Sequence, residues 1–287
     1  MSRLIVNADD FGLTPGVNRA IRELHQAGVL TSATLMAQAA ATGEAIEMAR
    51  ATPALGVGCH VVLVDGEPVL PAKQIPSLID RKTGCFHATL GAFLRRLLTG
   101  QVRPAEIEAE AKAQIELLQS EGLTLTHIDT HKHVHMFAGV LGPVLNASKQ
   151  SGIRTIRNPF ESAWSVRATR GGTWVRRTEV TLLRRLQPAW MKRVRAAGFA
   201  TTDGLLGVVA TGTLDAATLS SLLRAMPEGT WELVTHPGYC DEELARVRTR
   251  LLESRETERE VLLSMREFAA AERISFAGLQ DGTRACP

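Results

Sequence analysis

The chain has 287 residues, of which 45% are hydrophobic and 22% are charged, and its formal net charge is +3. This composition excludes disordered, collagen-like and coiled-coil chains, and so small a charge does not by itself indicate a nucleic-acid partner. The four cysteines are scattered without a C-x-x-C pair, so neither a disulfide framework nor a structural zinc knot is predicted. The apolar run at 4–6 is too short for a secretory signal, and no segment reaches the roughly 18 apolar residues needed to cross a bilayer. We therefore expect a globular, cytoplasmic protein.

Short apolar runs alternate with amphipathic segments along the chain. The pattern predicts strands at 3–8, 31–36, 55–63, 127–130, 155–157, 207–210, 231–235 and 274–276. It predicts helices at 15–27, 44–50, 104–121, 140–150, 215–225 and 256–273, and a long loop with a small hairpin at 65–85. Such alternation is typical of parallel strands with right-handed crossovers. We expect one α/β domain over residues 1–287, a distorted TIM-like (β/α) barrel with irregular units.

Acidic and imidazole side chains follow the predicted strands. Asp9 and Asp10 come directly after the first strand, and His60 lies in the third. Histidines also lie in or after the strands at 127–130 and 231–235, namely His127, His131, His133, His135 and His236. Six of the eight histidines therefore occupy such positions. Because the carboxyl ends of parallel strands share one face, we expect these side chains to meet there.

Aspartate and histidine around an open coordination position suit Zn²⁺ or another divalent ion used in catalysis. Two adjacent aspartates on extended backbone point in different directions, so one can bind metal while the other acts as a base. The histidines of the run at 131–135 recur with period two, which places them on one side of a strand but lets them diverge on a loop. An Asp-Asp pair is also typical of a turn, a lone histidine of a core, and a histidine-rich run of a surface metal scavenger. Their conjunction at one face favours a metal site.

Four motifs carry a resemblance to a known family. They are NADDFG at 7–12, GCHVVL at 58–63, THIDTHKHVHMF at 126–137 and THPGY at 235–239. In order and spacing they resemble the YdjC-like (ChbG/HpnK) carbohydrate deacetylases over nearly the whole chain. The stretch GVGCHVVLVDGEPVLP at 56–71 further resembles the hopanoid-biosynthesis-associated branch, HpnK.

The resemblance implies a distorted (β/α) barrel that removes the N-acetyl group from an amino sugar with Mg²⁺ or Zn²⁺ bound. It implies that the metal ligands are Asp10, His60 and His131. Asp9 resembles the general base of related polysaccharide deacetylases, and His236 is the candidate general acid. We expect supporting or substrate-contacting roles for Asp129, His127, His133, His135 and Arg157. Lys132 stands where relatives carry histidine, a change that leaves the metal assignment intact.

The segment 164–195 is basic and contains Trp164, Trp174 and Trp190, with Glu179 as its one acidic residue. This pattern favours an amphipathic segment lying on an anionic membrane surface, which would bring the site to a lipid-linked, hopanoid-attached N-acetylglucosamine. A solvated outer barrel helix is the alternative. No recognition motif accompanies the charge, so we do not expect nucleic-acid binding. A homodimer is expected only because dimers are the commonest soluble oligomers.

Other functions are compatible with parts of this pattern. A soluble chito-oligosaccharide deacetylase would share all the site residues. A phosphodiesterase on the same barrel would need more bridging carboxylates than this face offers. A non-catalytic sugar- or lipid-binding protein would not need both Asp9 and Asp10. A dinucleotide-dependent dehydrogenase is not supported, because no G-x-G-x-x-G follows the first strand.

Overall fold

A computed structural model describes residues 2–264 and 271–281. Within these residues, seven parallel strands form one sheet in the order β4-β3-β2-β1-β6-β5, and β7 pairs with the beginning of β1. The strands are β1 (Ser2–Phe11), β2 (Ser32–Leu35), β3 (Gly56–Val61), β4 (Ile128–Thr130), β5 (Gly204–Leu206), β6 (Gly229–Thr235) and β7 (Glu272–Arg273). The central strand, β1, is buried from Leu4 onwards, as its continuous apolar run predicts.

Helices cover the outside of the sheet and enclose the main hydrophobic core against it. They are α1 (Pro15–Gln26), α2 (Thr42–Ala51), α3 (Leu90–Leu98), α4 (Pro104–Ser120), α5 (Ala138–Gln150), α6 (Ala163–Ala168), α7 (Trp174–Leu183), α8 (Gln187–Ala196), α9 (Ala216–Ala225), α10 (Glu242–Arg246), α11 (Glu253–Ser264) and α12 (Ala277–Asp281). Short 3₁₀ segments cover His131–Met136 and Arg184–Leu186. None of the helices in the described ranges is long and apolar enough to span a membrane.

An irregular extended segment, residues 155–161, lies between the two outer strands β4 and β5 and forms hydrogen bonds with both. On one side the Ile128 N–H donates to the Thr155 carbonyl at 3.0 Å, and on the other the Leu205 N–H donates to the Phe160 carbonyl at 3.0 Å. Parallel bridges accompany both contacts. The sheet therefore curls round, and the predicted fold class, a distorted TIM-like α/β barrel, is confirmed.

Two predicted strands are displaced along the chain. The prediction of a strand at 207–210 is wrong, because the strand β5 lies just before these residues. Gly207, with φ 97°, turns the chain out of strand conformation. The strand expected at 274–276 is also wrong, because β7 precedes it, with its two residues in register with Arg3 and Leu4 of β1. An apolar run predicts which residues are buried. In both places the buried residues extend beyond those that pair with a neighbouring strand.

The helix predicted over 256–273 is too long, since its last two residues form β7. The observed helix is α11, and residues 265–270 lie outside the described residues. The strand expected at 155–157 is replaced by the irregular extended segment, which pairs only through isolated bridges. The loop expected at 65–85 is confirmed, with one antiparallel bridge between Ile79 and Phe86 in place of a regular hairpin.

The basic segment 164–195 folds into three short helices, α6, α7 and α8, which the pattern did not resolve. Trp190 is buried and donates its indole N–H to the His135 carbonyl at 3.0 Å. Trp164 is half-buried and packs edge-on against Trp231, with ring centroids 5.2 Å apart. Trp174 alone of the segment's three tryptophans is largely exposed. The segment is therefore only partly exposed, because Trp190 belongs to the core and Trp164 packs against it, and its contact with a membrane stays a prediction.

Candidate active site

The backbone leaves regular strand conformation at Asp10, the second of the two adjacent aspartates at the end of β1. Asp10 has φ 62°, in the left-handed region that residues other than glycine rarely adopt. The ladder to β2 is irregular between Ala8 and Phe11, at the same place. The Gly12 N–H donates to Asn18 Oδ1 at 2.8 Å, which holds the turn that follows. Strained backbone of this kind is frequent at functional sites.

Asp10, His60 and His131 converge at the carboxyl ends of β1, β3 and β4. The His60 Nε2 atom lies 3.5 Å from Asp10 Oδ1 and 3.2 Å from His131 Nδ1, and His131 Nδ1 lies 3.3 Å from Asp10 Oδ1. Asp10 and His60 are buried, while His131 is partly exposed. These are the three residues that the resemblance implies as metal ligands, and their ligand atoms form one compact group.

The group fits a divalent cation. Two ligand atoms bound to zinc at tetrahedral angles lie about 3.3–3.4 Å apart, which matches the three separations given above. One carboxylate and two imidazoles are a donor set typical of catalytic zinc, and the partly exposed side of His131 leaves room for a further ligand. The identity of the cation does not follow from this geometry.

Asp129 orients the His60 ring toward this group. The His60 Nδ1 atom lies 2.7 Å from Asp129 Oδ1, so Nδ1–H donates to the carboxylate and Nε2 faces Asp10. A carboxylate behind a ligating histidine fixes the ring and raises its basicity. Burial by itself would lower the pKa of His60, but the charges of Asp129, Asp9 and Asp10 raise it to about 9.

A second group of potential ligands, Asp9, His60 and Asp129, is less suited to a cation. The Arg157 guanidinium pairs with both of its carboxylates: Nη1 and Nη2 donate to Asp9 Oδ2 and Oδ1 at 2.8 and 2.6 Å, and Nη1 also contacts Asp129 Oδ2. Arg157 thus occupies both carboxylate oxygens of Asp9. At Asp10 the guanidinium of Arg255 pairs only with Oδ2 and leaves Oδ1 facing the two imidazoles, so the Asp10 group is the better candidate.

Arg157 is the centre of a fully buried charge cluster. In addition to its contacts with Asp9 and Asp129, Arg157 donates through its Nε atom to Glu232 Oε1 at 2.7 Å. Burial raises the pKa of Asp9 and Asp129, but the charges of Arg157 and His60, together with their hydrogen bonds, lower both below the usual value. At Glu232 burial has a larger effect than the Arg157 charge and raises the pKa to about 8, so this carboxyl carries a proton at neutral pH. The cluster holds Asp9 ionised, as a proton acceptor must be.

His236 follows β6 and faces Asp9. Its Nε2 atom lies 3.9 Å from Asp9 Oδ2, and its backbone N–H donates to Glu258 Oε2 at 2.5 Å. Burial lowers the pKa of His236 to about 4, so the ring is neutral at neutral pH. It must therefore take up a proton during a reaction before it can donate one.

Helix α11 supports the site through two side chains one turn apart. Arg255 Nη2 donates to Asp10 Oδ2 at 2.5 Å, while Glu258 accepts the His236 backbone N–H. Burial raises the pKa of Asp10, and the Arg255 charge, with His131, lowers it well below the usual range. Asp10 therefore presents an ionised oxygen to the two imidazoles.

Asp65 joins the long loop after β3 to two neighbouring loops. Its carboxylate accepts from Lys132 Nζ at 2.8 Å and pairs with Arg248 Nη2 at 2.6 Å. Burial raises the pKa of Asp65, but its two cationic partners lower it. Lys132 thus anchors the segment that carries His131.

Three predicted site histidines lie outside the Asp10 group. His127 stacks on Phe276 with centroids 3.8 Å apart. A Cβ atom at Gly58 would lie 2.5–2.7 Å from the His127 ring, so only glycine fits there. His135 contacts Thr130 Oγ1 at 2.7 Å and the Arg157 carbonyl at 3.1 Å. His133 makes an edge contact with His135, and its Nδ1 atom has no partner among the described residues.

Three further residues support the site and were not predicted from the sequence, namely Glu232, Arg255 and Glu258. Glu232 had a usable signal, because it is an acidic residue within the apolar run of β6. Arg255 and Glu258 lie in a helix with many charged residues, where nothing separates them from solvated neighbours. By contrast, Asp129 and Arg157 were named and do contact the residues at the centre.

The chain is similar in sequence to known proteins. A family model described as YdjC-like protein matches residues 3–272. The chain is 34% identical over 241 residues to a carbohydrate deacetylase of Brevibacillus brevis, covering 84% of this chain and 83% of that protein. It is 36% identical over 176 residues to a chitooligosaccharide deacetylase of Salmonella schwarzengrund, covering 58% of this chain and 66% of that protein.

A solved structure from Enterococcus faecalis, provisionally described as a cellobiose-phosphate cleavage protein, has the same fold. It superposes with a TM-score of 0.76 at 28% identity, over 97% of this chain and 98% of that one. Fold and site together define an α/β-barrel protein with an Asp–His–His group suited to a divalent cation. The family match covers almost the whole chain, which therefore belongs to the YdjC-like family.

Proposed function

We propose that the chain is a metal-dependent carbohydrate N-deacetylase, a hydrolase that cleaves the acetamide C–N bond of an acetylated amino sugar. The observation that carries the proposal is the compact group of Asp10, His60 and His131, with separations of 3.2–3.5 Å, beside the Asp9–His236 pair. Relatives named as carbohydrate deacetylases support the substrate class. A non-catalytic sugar-binding protein is the weaker proposal, because such a protein has no use for a second, ionised carboxylate beside the cation site.

The roles of the residues follow from their positions. A divalent cation, Mg²⁺ or Zn²⁺, held by Asp10, His60 and His131 would polarise the acetamide carbonyl and acidify a water molecule. Asp9, kept ionised by Arg157, accepts the proton of the attacking water. His236, neutral at first, takes that proton from Asp9, whose Oδ2 lies 3.9 Å from Nε2, and gives it to the departing amine, so that Asp9 returns to the carboxylate. Acetate and a free amino group are the products.

Removal of the cation is expected to abolish acetate release. Protein treated with EDTA should recover activity when Zn²⁺ or Mg²⁺ is restored, whereas His131→Ala should neither rebind the ion tightly nor recover. Because Nε2 of His60 must lose a proton to bind a cation and its pKa is about 9, affinity should rise between pH 6 and pH 8. Isothermal titration of the metal-free protein with each ion measures both effects. Full acetate release from protein shown to be metal-free would overturn the metal-dependent proposal.

We also propose that the acetylated sugar is N-acetylglucosamine linked to a lipid such as a hopanoid. The resemblance at 56–71 and the exposed apolar residues of α7 support this choice over a soluble chito-oligosaccharide. The face that carries α7 would then contact the inner membrane surface peripherally. The cytoplasmic location and the homodimer stay predictions from the sequence.

A further inference from the structure

A cavity of about 550 Å³ lies apart from the Asp10 group and has no role in the proposed chemistry. Its walls are the beginning of α7, the loop at 207–213 that follows β5, and Arg250. Because that loop leaves the carboxyl end of β5, the cavity opens on the face of the barrel that holds the candidate active site.

Two guanidinium groups line this cavity. Arg176 donates through Nε to the Val208 carbonyl at 3.0 Å, and neither of its Nη atoms has an acceptor within the described ranges. Arg250 is exposed and likewise makes no ion pair there. Burial, followed by the charge of Arg250, lowers the pKa of Arg176, so the two cations lie close enough to repel each other. Such a pair is suited to an anion that accepts hydrogen bonds from both.

The remaining lining residues define the charge of that anion. The N-terminus of α7, capped by Thr173, borders the cavity and adds a positive partial charge. Glu179 is the one carboxylate in the lining, and the buried Glu161 behind it also acts on the charge of Arg176, so the two arginines are partly neutralised. A singly charged phosphodiester matches this balance better than a doubly charged phosphomonoester.

Apolar side chains of α7 and of the 3₁₀ segment after it are exposed near the cavity. Trp174 at the start of α7 is 77% exposed and Leu182 near its end 56%, and Leu186 in the 3₁₀ segment is 41% exposed. Val175, 44% exposed, belongs to the cavity lining itself. Exposed tryptophan and leucine beside arginine are typical of a surface that enters the boundary between lipid headgroups and acyl chains. Headgroup phosphates lie at that depth.

We propose that this cavity binds the phosphodiester of an anionic phospholipid headgroup while these exposed apolar side chains enter the bilayer. The site would hold the active-site face of the barrel against the membrane. This inference rests on the proposed membrane contact but not on the hydrolysis, because no residue of the Asp10 group belongs to the cavity.

The test is co-sedimentation of the full chain and its variants with phosphatidylglycerol-containing vesicles. Arg250→Gln should weaken binding by about tenfold or more, the size expected for a lost charged hydrogen bond. Arg185→Gln, an exposed change in the same segment but outside the cavity, removes the same charge and should weaken binding by at most about fivefold.

Two further variants test the charge of the cavity and the apolar surface. Glu179→Gln should strengthen vesicle binding, and Trp174→Ser should weaken it with any headgroup. Acetate release from a soluble substrate should be unchanged in all four variants, which separates this inference from the proposed hydrolysis.

Three outcomes would overturn the inference. Equal weakening by Arg250→Gln and Arg185→Gln would show attraction by surface charge without a site. No binding of the unaltered chain to these vesicles would exclude the lipid. Binding of glycerol 3-phosphate or inorganic phosphate in a thermal shift assay, without vesicle binding, would assign the cavity to a soluble phosphate instead.

Discussion

Replacing Asp9 with asparagine is expected to lower acetate release by about 10²–10⁴-fold while the cation stays bound, the range typical of a lost general base. Asparagine keeps the shape of the side chain and its contacts with Asn7 and Thr34, but it cannot accept the water proton. Asp9 is not among the three residues of the preferred metal group, so metal content should be nearly unchanged. Acetate assay and metal analysis on the same preparation measure both quantities.

Asp10→Asn is the matched control for this experiment. It is the same chemical change at the next residue, but it removes a charged ligand atom, so both the cation and acetate release should be lost. If Asp9→Asn kept activity within about threefold, Asp9 would not be the base, and the neutral ring of His236 would be the next candidate.

Replacing Arg157 with methionine is expected to destabilise the protein by about 3–5 kcal/mol, the usual cost of removing one partner from a buried ion pair. Methionine fills much of the same volume but leaves Asp9 and Asp129 buried without their cation. Their pKa values should then rise toward neutral, because burial raises them and Arg157 is the largest opposing cause. Urea denaturation at pH 7 and pH 5 measures the loss, which should be smaller at the lower pH.

Arg246→Met provides the comparison for this variant. Arg246 pairs with Glu242 at 3.4 Å on an exposed surface of α10, and such pairs contribute at most about 1 kcal/mol. A similar small loss for Arg157→Met would mean that the buried cluster is not held together by that guanidinium.

The position of the site could be predicted from the sequence because parallel strands bring their carboxyl ends to one face. Asp10 and His60 lie in β1 and β3, which apolar runs mark, and His131 directly follows β4. The direction of a side chain was not predictable in the same way. His133 and His135 lie close to His131 in the chain but turn away from it, because the 3₁₀ segment there has positive φ at Lys132 and His133.

The supporting residues depend on long-range packing that no local pattern records. Arg255 contacts Asp10, which lies 245 positions earlier in the chain, and Glu258 of the same helix accepts from the His236 backbone N–H. The displaced strands have a related cause. The length of an apolar run reports burial, whereas the ends of a strand depend on pairing with β1 or on a glycine with positive φ, as at Gly207.

The most direct test of the proposed function is to measure acetate and free amine together from N-acetylated chito-oligomers and from a lipid-linked N-acetylglucosamine, with a phosphodiester of a sugar as a parallel substrate. We expect equal amounts of acetate and amine from at least one acetylated sugar and no cleavage of the phosphodiester. Phosphodiester cleavage without any acetate, by protein with its cation bound, would contradict this expectation and assign the Asp10 group to another hydrolysis.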